Sequence, residues 1–301
     1  MPEKLPSMVF AALCFIWGST WLAIKVGLDF LPPFLFAGIR FALASFVLAF
    51  LVRILHARFP RDGSSWVTML FLGIFQITLP YGLVFWGEQY ISSGLSAVLF
   101  ATLPFFVVIF AHVLIEAEPI TRRKALGVIA AFAGLATIFW RDLASAPGSM
   151  MSFSLLGGLA CVGSSASGGL ANVVAKKYAN GIDAPANVFV QSVVGTVCLS
   201  TVGIITERGM TIKFAPAAIG AVLYLGVVGS ALAFVALYWL FTKTTATNSS
   251  LVAFITPIIA LIMGGLILQE RLEPAVAFGT LLILSGVYVT VTQDRAAASK
   301  T

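Results

Sequence analysis

The sequence predicts an all-α integral membrane protein of ten transmembrane helices, arranged as two inverted five-helix repeats with both termini cytoplasmic. Three observations predict it. Hydrophobic residues make up 59% of the 301 and charged residues only 10%, whereas soluble domains carry about 25% charge. The few charges cut the chain into ten apolar stretches. Landmark residues in the first half return in the second at a nearly constant offset.

The ten stretches are residues 5–24, 34–52, 63–87, 89–115, 125–140, 143–175, 184–206, 214–242, 244–269 and 274–293. A helix needs about 20 apolar residues to cross roughly 30 Å of hydrocarbon. Residues 125–140 form the weakest candidate and need their flanks. No stretch shows the alternation of a membrane barrel. The leading residues, Met1 to Leu5, are too few for a separate signal peptide, so the first apolar run is expected to stay as a span. The connecting loops leave no room for a soluble domain.

Loop charge sets the orientation. If both termini are cytoplasmic, the inner loops hold twelve Lys and Arg residues and the outer loops four, namely Arg141, Arg208, Lys213 and Arg271. That is a positive-inside bias, and it accounts for the net charge of +6. The basic residues form no patch interleaved with aromatics, which argues against nucleic acid as a partner. Cys14, Cys161 and Cys198 lie in apolar runs without metal-ligand spacing and read as small packing residues. No metal or cofactor is expected.

The repeat divides the chain at 1–142 and 143–301. Leu72-Gly73 and Pro104 return as Leu225-Gly226 and Pro257, 153 residues on. Glu118, Gly127 and Gly134 return as Glu270, Gly279 and Gly286, 152 residues on. Lys25 and Arg40 fall on Lys176 and Gln191. Five helices per half is an odd number, so the halves must run in opposite directions. Inverted repeats are a recurring transporter architecture with a midplane site where the halves meet.

These residues resemble the EamA-type members of the drug/metabolite transporter superfamily. The resemblance is carried by Phe15-Ile16-Trp17-Gly18-Ser19-Thr20, by residues 90–104, and by the proline-to-glutamate-to-glycine series of each half. It covers essentially the whole chain. It implies an exporter of small organic metabolites in the bacterial inner membrane, closest in kind to the YddG-type amino-acid exporters. One departure is that Gly163-Ser164-Ser165 stands near the place where the second half should match Trp17-Gly18. The two halves need not contribute equally.

Several residue groups are candidates for the pathway. Pro104 and Pro257 lie near the centres of the fourth and ninth stretches, where each removes a backbone hydrogen bond and invites a hinge. Pro80 is a third hinge candidate without a proline counterpart, since Ala233 holds the equivalent place. Thr78, Tyr81, Phe85 and Glu88 share a side of the third helix. With Trp17, Thr20 and Tyr238, the residues Thr78, Tyr81 and Phe85 would line a cavity that is aromatic with scattered hydroxyls and no fixed charge. Ser165 and Gly168 belong to a small-polar stripe that serves close packing or lining. Lys25, Arg40 and Glu88 lie toward the outer ends of their helices and form a candidate charged gate, with Glu88 as partner for Arg40; snorkelling is the competing reading for Lys25. Gly127, Ala131, Gly134, Gly279 and Gly286 predict tight packing of the fifth and tenth helices. The same face would also suit a dimer, although a monomer with two halves completes a pathway.

An enzyme would need clustered acids, bases or metal ligands. His56 and His112 lie far apart, and the carboxylates fall at helix ends. A channel would want a charged or carbonyl-lined pore. A transporter working by alternating access is therefore expected, moving a small amphipathic or zwitterionic molecule such as an amino acid. Drugs and aromatic cations are the alternative cargo, and an integral membrane lipid-modifying enzyme the alternative class. A divalent anion is disfavoured because no Arg or Lys is expected at mid-depth. With no mid-helix carboxylate, transport is expected to run down the substrate's own gradient.

Overall fold

A computed structural model describes residues 5–115, 121–140, 152–241 and 246–298. Among them every regular element is helical. They are α1 (Leu5–Leu28), α2 (Pro33–Ile54), α3 (Gly63–Leu72), a π-helical segment π1 (Gly73–Thr78), α4 (Leu79–Gly87), α5 (Ser93–Phe100), α6 (Leu103–Leu114) and α7 (Arg122–Ile138). The second half supplies α8 (Phe153–Tyr178), α9 (Ala184–Thr206), α10 (Pro216–Leu223), π2 (Tyr224–Leu232), α11 (Ala233–Phe241), α12 (Ala246–Ile267) and α13 (Pro274–Ala298).

Local chemistry sets the starts of these helices. Asp62, Ser92, Thr121 and Ser152 each accept a hydrogen bond from the backbone N–H three residues on, capping α3, α5, α7 and α8. Proline occupies the first turn of α2, α6, α9 and α10, where its missing N–H costs little.

Among the described residues seven continuous helical spans are long and apolar enough to cross a bilayer: Leu5–Leu28, Pro33–Ile54, Gly63–Gly87, Ser93–Leu114, Phe153–Tyr178, Ala184–Thr206 and Pro216–Leu237. Ile255–Ile267 and Pro274–Thr290 are shorter apolar helices. The weak fifth stretch is α7, which recruits Arg122, Arg123 and Lys124 into its first turn. Phe46 and Phe50 stand 77% and 65% exposed on the outside of α2. A surface of this kind is stable against lipid and a liability in water.

Packing joins the halves rather than separating them. α2 lies on α9, α7 on α13, and α5 on α12. Around these the pattern is symmetric on exchange of halves: α2 meets π2 as α9 meets π1, and α1 meets α12 as α8 meets α6. α7 and α13 approach closely. A Cβ on Gly134 would stand 2.6 Å from the Gly279 carbonyl oxygen, and one on Gly127 2.8 Å from that of Gly286. The predicted glycine stripes thus face each other within the chain. Without a hydrophobic driving force between helices in lipid, such close backbone contact is what holds them.

Two interruptions shape the interior. The fourth span breaks at Ala101–Thr102, between α5 and α6, and Pro104 sits in the first turn of α6. Pro257 differs from this expectation of symmetry, because it lies inside an unbroken α12. The third and seventh of these spans, Gly63–Gly87 and Pro216–Leu237, each carry a π-segment at the equivalent place, beginning near Gly73 and Gly226. Pro80 follows π1, but π2 has no proline, so proline is not the shared cause. Both segments instead have carbonyls taken by side chains. Ser167 Oγ donates to Phe75 O at 2.8 Å, and Trp17 Nε1 donates to Gly229 O at 3.3 Å. These two donors sit at near-equivalent positions of α8 and α1.

Candidate functional site

Arg40 on α2 lies at the meeting of the two halves and is 2% exposed. Its Nε donates to Ser230 Oγ on π2 at 3.0 Å. Its guanidinium carbon stands 4.7 Å from the ring centroid of Tyr81, 5.3 Å from Phe41 and 5.8 Å from Phe85. Such cation–π contacts stabilise a desolvated cation by up to about 2 kcal/mol each. Nη1 has no hydrogen-bond partner among the described residues. A guanidinium is therefore buried at the inter-half contact, about two turns into α2, where the packing of π2 covers it.

The surrounding aromatic wall comes from both halves. Tyr81 packs edge-on against Phe41 at 4.7 Å, and fully buried Phe85 against Phe36 at 5.0 Å. Tyr224, the first residue of π2, shares a 2.5 Å hydrogen bond with Ser19 Oγ. Trp17 meets Phe234 at 6.0 Å and is half-buried. Thr20 turns its hydroxyl back to Trp17 O at 2.7 Å. Sequence reasoning missed Ser19, Tyr224 and Ser230. The one available signal was Gly226 and Gly229 flanking them, which marks backbone irregularity and no more.

The other candidates take different places. Thr78 parts from Tyr81 and Phe85: it donates to Gly73 O at 3.0 Å and borders an outer apolar recess of about 230 Å³ with Phe34, Leu83 and Trp86. Ser165, fully buried, donates to Leu99 O and Phe100 O, both at 3.1 Å, satisfying carbonyls at the α5–α6 break. Gly168 lies against Leu103 at the start of α6. The side chain of Tyr238 lies outside the described residues. A larger recess of about 630 Å³ opens near Leu95, Phe139, Trp140 and Glu273, away from Arg40.

The gate candidates share one end of the bundle without pairing as expected. Lys25 Nζ donates to Glu88 O at 2.6 Å and Ile91 O at 2.7 Å, so its ammonium closes the end of α4 rather than snorkelling. The Glu88 carboxylate is fully buried, and neither oxygen has a hydrogen-bond partner among the described residues. It makes no hydrogen bond to Arg40. It lies at the end of α4, as its place in the sequence suggests, but that end is covered by protein. Two other carboxylates do bind at this end. Glu207 accepts from Phe34 N at 2.7 Å and Leu35 N at 2.9 Å, at the start of α2. Glu270 accepts from Ser93 N, Ser93 Oγ and Gly94 N, at 2.8, 2.9 and 3.2 Å, at the start of α5. Each carries a second-half charge onto the positive end of a first-half helix. Among the described residues no group of three or more His, Cys, Asp or Glu side chains could hold a metal ion.

Known proteins match this architecture along its length. YoaV, an uncharacterized transporter of Bacillus subtilis (strain 168), is 28% identical over 278 residues, covering 91% of this chain and 92% of its own. YvbV, an uncharacterized transporter of the same organism, is 28% identical over 296 residues, covering 98% and 94%. PagO of Salmonella typhimurium is 24% identical over 285 residues, covering 95% and 92%. A crystal structure of a protein 15% identical in sequence superposes with a TM-score of 0.66, covering 97% of this chain and 98% of that one. At that identity it speaks to the fold alone. The model of the EamA-like transporter family matches twice, over residues 5–140 and 155–292, and this multi-pass membrane chain therefore belongs to that family of transporters.

Proposed function

We propose that the protein exports small organic metabolites, amino acids among them, by alternating access between its two halves. In this reading the chain crosses a bacterial inner membrane ten times, as inverted repeats 1–142 and 143–301 with both termini cytoplasmic. The observation that carries it is the inter-half contact itself. Every major helix pairing but the symmetric breaks joins one repeat to the other, and the polar groups at its centre come from both. Rocking one repeat against the other would expose that centre to either side in turn. The π-segments and the α5–α6 break supply places where helices bend, and Pro80, Pro104 and Pro257 are the proposed hinges. Lys25 and Glu88 act at the outer gate, Trp17, Thr20, Tyr81, Phe85 and Tyr238 around the cargo, and Arg40, first expected at the gate, where the two meet. YddG-type selectivity for amino acids fits a site in which an Arg already covers the aromatic faces. That occupancy weighs against aromatic cations as cargo.

Counterflow in proteoliposomes tests this. Labelled amino acid should accumulate against preloaded unlabelled substrate, and Tyr81→Ala and Trp17→Ala should each slow it while protein yield holds. Parent-like rates in both variants would move the cargo site elsewhere. For topology, a cytoplasm-only reporter fused after Thr301 should be active, and one inserted at residues 141–148 silent.

A further inference from the structure

The buried guanidinium is under-bonded where it stands. Arg40 offers five N–H donors in a planar fork, yet among the described residues its hydrogen bond to Ser230 fixes Nε and leaves Nη1 unpartnered. Removing such a group from water costs several kcal/mol unless its donors are met. Tyr81, Tyr224 and Glu88 face it, yet among the described residues Nη1 stays without a partner. Tyr224 bonds Ser19, Lys25 bonds two carbonyls, and Glu88 lies one turn beyond Phe85 without bonding Arg40.

A packing role does not need this charge. The equivalent residue of the second half is Gln191, also buried, whose Nε2 donates at 2.9 Å to Asn187 Oδ1 on its own helix. The α9–π1 contact closes without a cation where α2–π2 holds one. We infer that Arg40 receives the carboxylate of the transported molecule, so that the cargo is an organic monocarboxylate with an apolar or aromatic body. This rests on the transporter reading above and narrows its substrate class. The geometry matches the chemistry: Ser230 and the rings of Tyr81, Phe41 and Phe85 orient the guanidinium plane, and the unpartnered Nη1 suits a charge-assisted contact with a carboxylate. The half-buried Tyr81 and Tyr224 face the guanidinium and would meet the body of the ligand. A single guanidinium suits one negative charge rather than two.

The test is ligand binding to the purified full chain, read by thermal shift and by titration. The probes are L-phenylalanine, L-leucine, phenylacetate, L-phenylalaninamide and phenethylamine. The acids should bind at least about tenfold more tightly than the amide and the amine, the difference of one charge-assisted contact. Arg40→Gln should abolish the discrimination and Arg40→Lys should keep part of it. Asp62→Ala, at the exposed cap of α3, should leave the acid-to-amide ratio within about twofold. Equal binding of acid and amide by the parent overturns the inference, as does discrimination that survives in Arg40→Gln or collapses equally in Asp62→Ala. If Arg40→Gln does not fold, the parent comparison and Arg40→Lys decide. Binding of phenylacetate without either amino acid upholds the carboxylate site and overturns the amino-acid reading. Binding of phenethylamine alone overturns the carboxylate site and leaves a transporter of amines.

Discussion

Replacing Glu270 with alanine tests whether the second half pins the first at the gate end. The Glu270 carboxylate takes three hydrogen bonds from Ser93 and Gly94 in the first turn of α5. Ser93 is fully buried, so its N–H would be left without an acceptor. Loss of an N-terminal cap costs about 0.5–2 kcal/mol, and an orphaned buried donor about 1–3 kcal/mol more. Allowing for overlap between these terms, Glu270→Ala should destabilise by about 2–4 kcal/mol, and Glu270→Gln, which keeps one acceptor, by about half that. A second variant reaches the same bond from the other side. A Cβ on Gly264 would overlap Glu270 Oε2 and stand 2.9 Å from Ser93 Oγ. Gly264→Ala must therefore displace the carboxylate. Melting midpoints in detergent of the parent, both single alanine variants and the double variant form a cycle. Each single variant should melt several degrees early, and the double variant scarcely earlier than Glu270→Ala. A parent-like midpoint for Glu270→Ala, or full additivity in the double, would refute the cap.

Gly134→Val should force α7 from α13, because its Cβ alone would approach Gly279 O to 2.6 Å; a loss of about 1–3 kcal/mol or more is expected, seen as lower folded yield and melting midpoint. Trp17→Phe keeps the ring contact with Phe234 but loses the bond to Gly229 O, so it should cost about 0.5–1.5 kcal/mol and speed hydrogen exchange through π2. At the solvent-exposed cap of α3, the Ser65 N–H holds the Asp62 carboxyl below its ordinary pKa. Its support of the helix is then present above the unfolded value and lost as pH falls through the lower folded one. Asp62→Ala should raise exchange of the residue 63–66 amides at neutral pH and match the parent in strong acid.

What was legible in the sequence follows from what lipid demands. Apolar length reads directly as span length, so nine of the ten stretches correspond to apolar helices, and the tenth, α7, drew on its charged flank as its shortness required. The glycine stripes were legible for the same reason, since a missing Cβ has one main use between membrane helices. Side-chain destination was not. Tyr81 and Thr78 are three residues apart, but π1 ends between them and turns them to different neighbours. Ser165 looked like a lining hydroxyl, while its real partners are carbonyls freed sixty-odd residues earlier at the α5–α6 break. Arg40 and Glu88 were placed by counting from helix ends, which cannot reveal how far the opposite half folds over them.

The unlike pair of Arg40 and Gln191 bears on why both halves occupy one polypeptide. A complex of two identical five-helix chains would duplicate every side chain about its axis. Any cation set at the contact would appear twice, and like charges in a medium of low permittivity repel strongly. Joining the halves lifts that constraint, because each position can then vary without its twin. One positive charge and one neutral amide at matched places are open to the joined form and closed to a pair of identical chains. Polarity across the contact is thus a degree of freedom that covalent linkage opens to a nearly symmetric frame.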